Sequence, residues 1–440
     1  MAKQQVTIEI TITGATNPIT VSPASINQAV GEALPPLVAS GGDGAPYTFS
    51  NPQNVPPGVT LNGDGTWTGT TTTAGTYNLT VDVEDTSGEL VVPPIPHKDH
   101  WESQMLTLAA KWKEQAMTLV PEDFGSWGEN KCWYYDGGAV YLQIADYTKD
   151  EQWIAPAEAI FDSYATHIVT AISNSYGGME HGSFSPAYHA FSKGFMMDFK
   201  RTANQARMDS ILNLTTSPGI NFMSTAQGQA PWNGLSNLKP ESYTPQYIRE
   251  SAYCVKALVH KEMLDELRDH RLEEGVTNCV VADLENFMTP GSSSYLGAGN
   301  GGINNFMIGL ALEALIAYYE MTESEGSPDT RIPPIIKTVL DFFWIHCVDP
   351  ATYGVWYCSD LVNSGGALYT SSSLNLMCAS AWAWYWKFSK EEKYLTQGDQ
   401  LWTAGVLGVG DPQTSDYTYS GKEFSQQYAW SFDYVKWRTQ

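Results

Sequence analysis

Gly128 to Ile172 reads GENKCWYYDGGAVYLQIADYTKDEQWIAPAEAIFDSYATHIVTAI, and its hydrophobic spacing changes character once along the way. Tyr134 to Tyr147 is apolar round most of a helical circumference, as a buried helix is. Gln152 to Ile172 instead places Ala157, Ile160, Phe161, Tyr164, Ile168 and Ala171 three or four apart, the spacing of a helix with one wet face. Together they predict a helical hairpin with one buried and one half-solvated arm. The connector Tyr147-Thr148-Lys149-Asp150-Glu151-Gln152-Trp153 returns late in the chain as Phe388-Ser389-Lys390-Glu391-Glu392-Lys393-Tyr394. That repeat predicts stacked hairpins, with Thr148 and Ser389 capping the helices that follow, each acid complementing a helix N-terminus and the aromatics pinning the arms together.

The same grammar runs from His100 to the end. Helical patterns cover His100 to Leu119, Pro186 to Arg201, Ala203 to Leu214, Thr244 to His260, Lys261 to Phe287, Ile303 to Tyr319, Pro333 to Cys347, Ser371 to Phe388, Glu391 to Val406 and Lys422 to Trp437. With the hairpin already read, they make twelve helices that alternate outer, inner, outer, inner through six hairpins. Residues 100 to 440 thus resemble the (α/α)6 barrels of glycoside hydrolases, polysaccharide lyases and sugar epimerases. The resemblance rests on hairpin count, connector repeat and aromatic content, and no family's catalytic residues are carried across by it.

Residues 1 to 87 are built differently. Thr, Val, Gly, Pro and Asn dominate, Val6 to Thr13 and Tyr77 to Val83 alternate as strands, and Asn62-Gly63-Asp64-Gly65 is a turn suited to positive φ between Thr60-Leu61 and Thr66 to Thr70. An all-β sandwich is expected. The run Pro57 to Thr70, PGVTLNGDGTWTGT, followed by Thr73-Ala74-Gly75-Thr76-Tyr77, resembles the He_PIG-like immunoglobulin modules of bacterial and phage surface proteins over about residues 17 to 86. The resemblance implies a sandwich that spaces, docks or adheres. Trp67 is read as packing rather than as a sugar platform. Residues 88 to 99, with Pro93, Pro94 and Pro96, are a semi-rigid linker, so the chain is read as multidomain: an all-β immunoglobulin-like sandwich followed by an all-α (α/α)6 toroid.

The chain has 440 residues, 48 acids against 24 Lys plus Arg, and a formal net charge of −24 without any basic block. Nucleic acid is therefore not an expected partner, and a neutral polysaccharide fits better than a polyanion. No run of about 18 apolar residues predicts a membrane span; Phe306 to Tyr319 carries Glu313 and is read as a buried helix. Strand alternation begins directly after Lys3, with no signal-peptide pattern. Cys132, Cys254, Cys279, Cys347, Cys358 and Cys378 lack metal-ligand spacing, so neither a metal nor another cofactor is expected; Cys347 with Cys358 is the one pairing considered.

In a toroid, the loops entering the inner helices converge on one mouth, so candidate site residues are sought at those entries. Trp133, Tyr135 and Asp136 precede Gly137-Gly138; Glu180, His181, Tyr188 and His189 precede the second inner helix; Tyr243, Tyr247 and Arg249 open the third; Asn304 opens the fourth; Glu423 and Gln427 open the sixth. Asp136 with Glu180 or Glu423 would make the carboxylate pair of glycoside hydrolysis, with His181 as a further acid or base. The alternative for Asp136 is a helix cap. A lyase would instead use Asn304 or Arg249 against a uronate carboxylate, with Tyr243 or His181 as base. Trp127, Trp133, Tyr135, Trp232, Tyr243 and Tyr295 are candidate stacking rings, and His189 reads as a buried histidine.

The combination of modules predicts a virion-associated protein that hydrolyses or modifies host surface glycan and contacts other virion proteins through its immunoglobulin-like domain. A non-catalytic decoration or adhesion protein is the rival reading, and a secreted bacterial glycosidase or lyase the third. The expected location is the virion surface after synthesis in the host cytoplasm, or else the extracellular space.

Overall fold

The computed structural model describes residues 5–13, 19–41, 47–85, 93–124, 131–174, 189–216, 248–265, 269–292, 295–297, 304–359, 368–408 and 420–440. The chain divides into two compact units, Met1–Pro93 and Pro94–Gln440.

The described residues of the first unit form eight strands: β1 (Gln5–Thr13), β2 (Ile19–Ser22), β3 (Ser25–Ala29), β4 (Val38–Gly41), β5 (Tyr47–Gln53), β6 (Val59–Leu61), β7 (Trp67–Gly69) and β8 (Gly75–Asp85). A four-stranded sheet runs β3-β1-β8-β5, with β1 and β8 parallel, beside the pairs β2-β4 and β6-β7. Ile8, Leu79, Val81 and Val83 are wholly buried and pack with Ile26, Leu37, Phe49 and Leu61 in one core. The β6-β7 turn uses the predicted Asn-Gly-Asp-Gly: Thr66 and Asn62 close it, and Gly65 sits at φ 83° where a Cβ would strike the Leu37 carbonyl at 2.3 Å. Trp67 lies against that core, half-buried, so packing is its role there.

The described residues of the second unit form twelve helices: α1 (Lys98–Met117), α2 (Gly137–Thr148), α3 (Ile154–Asn174), α4 (Lys193–Thr202), α5 (Gln205–Thr216), α6 (Ile248–Asp265), α7 (270–288, with a π-helical stretch Val276–Val281), α8 (Asn305–Ser324), α9 (Ile332–His346), α10 (Ser372–Ser389), α11 (Glu392–Leu407) and α12 (Gly421–Arg438). The even-numbered helices contact one another in a closed ring, α2 to α4, α6, α8, α10, α12 and back to α2. That is the inner layer. Its α8 is buried from Asn305 to Ile316 without a break, whereas α9 of the outer layer buries only one stripe through Ile332, Ile336, Val339, Leu340 and Phe343.

Closure of the ring is tight. Ser425 Oγ of α12 donates to the Cys132 carbonyl at 2.6 Å, and Gly421 and Gly137 come so close to Cys132 that a Cβ on either would overlap its backbone. On the outer side Trp101 Nε1 donates to Ser431 Oγ at 3.1 Å, joining α1 to α12.

Both connectors link an inner helix to the next outer one, α2 to α3 and α10 to α11, and turn through a left-handed lysine, Lys149 (φ 57°) and Lys390 (φ 58°). Ser389 Oγ accepts from Glu391 N at 3.2 Å at the head of α11, whereas Thr148 does not take the role expected of it. Thr148 Oγ1 donates back to the Ile144 carbonyl, ending its own helix, and Asp150 caps the next turn by accepting from Gln152 N at 3.1 Å. Asp150 stands closer in sequence to the free amides than Thr148 and carries the charge that favours a helix N-terminus. All six cysteines are buried and none is in a disulfide, Cys347 and Cys358 included.

Candidate functional site

Asp136 is the residue about which the mouth of the ring is arranged. It holds a left-handed conformation (φ 61°), a geometry Asp tolerates, and from there its Oδ1 accepts from Ala139 N at 3.3 Å, in the first turn of α2. Its Oδ2 accepts from Gly194 N at 3.0 Å, in the first turn of α4. One carboxylate thus caps two neighbouring inner helices. Ser192, the residue before α4, leaves that capping to Asp136 and places its Oγ 2.8 Å from His260 Nδ1.

The other inner helices begin beside this point. The Lys422 ammonium of α12 lies over the Tyr134 ring at 4.7 Å and the Tyr135 ring at 5.9 Å. Arg249, at the start of α6, pairs with Glu250 at 2.5 Å; burial opposes its charge, but Glu250 and the Tyr134 and Tyr135 phenols hold its pKa above the usual value. Asn304, before α8, donates from Nδ2 to Tyr357 Oη at 3.1 Å, and Tyr357 stacks on Tyr369 just ahead of α10. Trp133, Tyr135, Asp136, His189, Arg249 and Asn304 therefore belong to one neighbourhood.

Below the mouth is a pocket lined by Tyr135, Asp136, Phe191, Lys193, Tyr253, Lys256, Glu313 and Trp430, among others, with a volume of about 10 Å³. Its charges are paired across helices: Lys256 Nζ with Glu313 Oε1 at 2.6 Å, both buried, and Lys193 Nζ with Asp433 Oδ2 at 2.7 Å. Trp430 Nε1 donates to the other oxygen of Glu313. Burial raises the Asp136 carboxyl above the ordinary range, opposed by the amides of Gly194 and Ala139 and by Lys256 and Lys193. Burial likewise works against the charge on Lys193, but Asp433, Glu313 and Asp136 outweigh it and its pKa rises. His260 is pushed well below its usual pKa, first by burial and then by Lys256, Lys193 and Lys200.

Several candidates have other occupations. Glu423 closes a capping box, its Oε2 accepting from Ser420 N at 2.7 Å while its own amide donates to Ser420 Oγ at 3.3 Å. Trp133 is 1% exposed and packed among Phe124, Tyr134 and His189, so neither ring face is open to a sugar. His189, also 1% exposed, lies in the same aromatic cluster and is pushed well below its usual pKa, by burial first. Gln427 is fully buried on α12 outside the pocket lining. Tyr295 turns its ring edge to Phe342 of the outer layer. Glu180, His181, Tyr188, Tyr243 and Tyr247, with Trp127 and Trp232, lie outside the described residues.

Lys193, Tyr253, Lys256, Glu313 and Trp430 were not singled out from the sequence. Glu313 had a visible signal: a lone acid in a helix apolar on all sides must find a cation or a donor when buried.

Residues 12–93 match the He_PIG family model, described as "Putative Ig domain". No curated protein matches the chain. Among solved structures, a D-mannose isomerase aligns at 11% identity and a TM-score of 0.52, covering 78% of this chain and 99% of its own. An unsaturated glucuronyl hydrolase specific for heparin aligns at 13% identity and 0.49, covering 78% and 97%. Cellobiose 2-epimerase from Spirochaeta thermophila DSM 6192 aligns at 10% identity and 0.46, covering 79% and 99%. At such identities the likeness is one of fold, and the chain joins an immunoglobulin-like β unit to an all-helical (α/α)6 toroid.

Proposed function

We propose that the helical unit is carbohydrate-active, with its site at the mouth of the inner ring and Asp136 as the proton-carrying group. The observation that carries this reading is the placement of Asp136: a carboxyl with a raised pKa opens on a pocket walled by Tyr135, Phe191 and Trp430, with a second carboxylate, Glu313, lining the same pocket. A glycosidic bond needs one carboxyl that holds its proton for the leaving oxygen and one that stays charged to activate water or attack. Asp136 suits the first role, and Glu313, held against Lys256, suits the second. Glu180 and His181, ahead of α4 in sequence, are candidates for the same chemistry. The D-mannose isomerase that shares the fold acts on a sugar, in keeping with this class of substrate.

A binding or decoration role is the second reading. It is favoured by the two backbone amides that already occupy Asp136 and by the small volume of the pocket. Release of reducing ends from polysaccharide separates the two. Asp136→Asn should abolish release if the domain is a hydrolase, while absence of release by the unmodified chain on every glycan it binds would leave the binding role. Attachment to a virion through the immunoglobulin-like unit is a further part of the proposal, checked by recovery of the chain in purified phage particles.

A further inference from the structure

Tyr253 lies on α6 at 2% exposure and lines the pocket, yet its hydroxyl has no hydrogen-bond partner among the described residues. A buried hydroxyl without a partner is costly to a fold, by about 1 to 3 kcal/mol, and native structures leave few of them. The pocket before it supplies the means to satisfy it. At about 10 Å³ it has room for a single oxygen atom, the size of one water. Around that space stand a donor and acceptors with capacity to spare. Lys193 uses two of its three N–H groups, on Asp433 Oδ2 at 2.7 Å and the Ala429 carbonyl at 3.3 Å. Asp136 receives one amide on each oxygen, leaving lone pairs on both.

We infer that Tyr253 is a specificity-determining residue that donates its hydroxyl hydrogen to one hydroxyl oxygen of a bound sugar, which enters the pocket in place of a water. The inference rests on the carbohydrate reading above and deepens it. The pocket volume decides the pose: a pyranose ring is far too large for the space, and Tyr135 and Trp430 touch edge to face at 5.6 Å, so the ring stays at the mouth outside that contact and only one substituent reaches in. That hydroxyl accepts from Tyr253 and donates to Asp136. Burial, with Tyr135, Tyr134 and Glu313 nearby, keeps the Tyr253 phenol well above its usual pKa, so it retains the hydrogen it donates. A site of this kind discriminates strongly against a ligand that lacks the hydroxyl, because buried polar groups are then left unpaired.

The test is titration of the full chain and of Tyr253→Phe with a panel of neutral hexoses and their monodeoxy analogues, followed by heteronuclear NMR or calorimetry, alongside thermal melting. Phe keeps the ring and its packing, so the variant folds with an unchanged or higher Tm. The expected result is that the unmodified chain binds at least one hexose, that one of its deoxy analogues binds more weakly by a factor of ten or more, by about the measure of a lost hydrogen bond to a buried group, and that Tyr253→Phe removes this discrimination. Hexose binding in which Tyr253→Phe retains full affinity and full discrimination overturns the inference and leaves the carbohydrate reading in place. Failure of the unmodified chain to bind any hexose or longer glycan overturns both.

Discussion

The carboxylate of Asp136 and the amide of Gly194 meet at 3.0 Å, 58 residues apart in sequence, and so tie the first turns of two adjacent inner helices to one side chain. Any use of Asp136 in chemistry is therefore superimposed on a structural duty. A Cβ on Gly194 would lie 2.6 Å from Asp136 Oδ1 and 2.4 Å from the Phe161 ring, so the approach of the two helices depends on that glycine.

Substitutions at Asp136 should separate the two duties. Asp136→Ala removes two caps and places Ala in a left-handed conformation, and should cost about 2 to 4 kcal/mol. Asp136→Asn keeps an acceptor and tolerates that conformation, and should cost about 1 kcal/mol or less. Thermal melts of both variants check the ordering; equal losses would show that the caps contribute little.

The pair Lys256 and Glu313 is buried, and removing one partner leaves a charge without its counter-charge. Lys256→Met alone should cost about 3 to 5 kcal/mol. Lys256→Met combined with Glu313→Gln should recover most of that loss, since Gln still accepts from Trp430 Nε1 and no charge is stranded. A double-mutant cycle in urea measures the coupling. Additive losses would mean the two residues do not depend on each other.

Glu423 should behave as a cap and not as a catalyst. Glu423→Gln preserves the capping box and should leave both stability and any glycan activity unchanged, whereas Glu423→Ala should cost about 1 kcal/mol. Loss of activity in Glu423→Gln at full stability would return this residue to the catalytic pair.

His189 and His260 both sit neutral in the fold with pKa values pushed well below 6.5. Unfolding frees them to take up protons, so their contribution is fully present above the unfolded pKa of about 6.5 and is lost as pH falls below it toward the folded values. Each should add up to about 1.4 kcal/mol per pH unit to the loss of stability in that range. His260→Gln should flatten the pH dependence of Tm below pH about 6.5 relative to the unmodified chain; an unchanged slope would show that His260 is protonated in the fold.

Helix order was legible where inner helices such as α2 and α8 are apolar on all sides and an outer one such as α9 on one stripe, a difference that local spacing records; α4, with Lys193, Asp198, Lys200 and Arg201, does not follow it. The predicted Ser371 to Phe388 falls on α10 to within one residue at each end, and Ile303 to Tyr319 falls on α8, which runs on to Ser324. Pairings across the ring were not legible in that way. Lys193 and Asp433 are 240 positions apart, and Lys256 and Glu313 are 57 apart, so no local pattern links them. Glu423 was legible and was passed over: Ser420-Gly421-Lys422-Glu423 is the spacing of a capping box, a local signal stronger than the position near the mouth that drew attention to it. Trp133 stood in an apparent loop, but a short loop wedged between packed helices is interior, and its ring is core.

The most direct measurement of the central claim is a crystal structure of Asp136→Asn soaked with an oligosaccharide that the unmodified chain binds or degrades. The account predicts a sugar ring at the mouth of the toroid, outside the edge-to-face contact of Tyr135 and Trp430, with the glycosidic oxygen about 3 Å from the side chain at position 136. A sugar bound only elsewhere, on the β unit or on the outer helices, with the mouth empty, would contradict it.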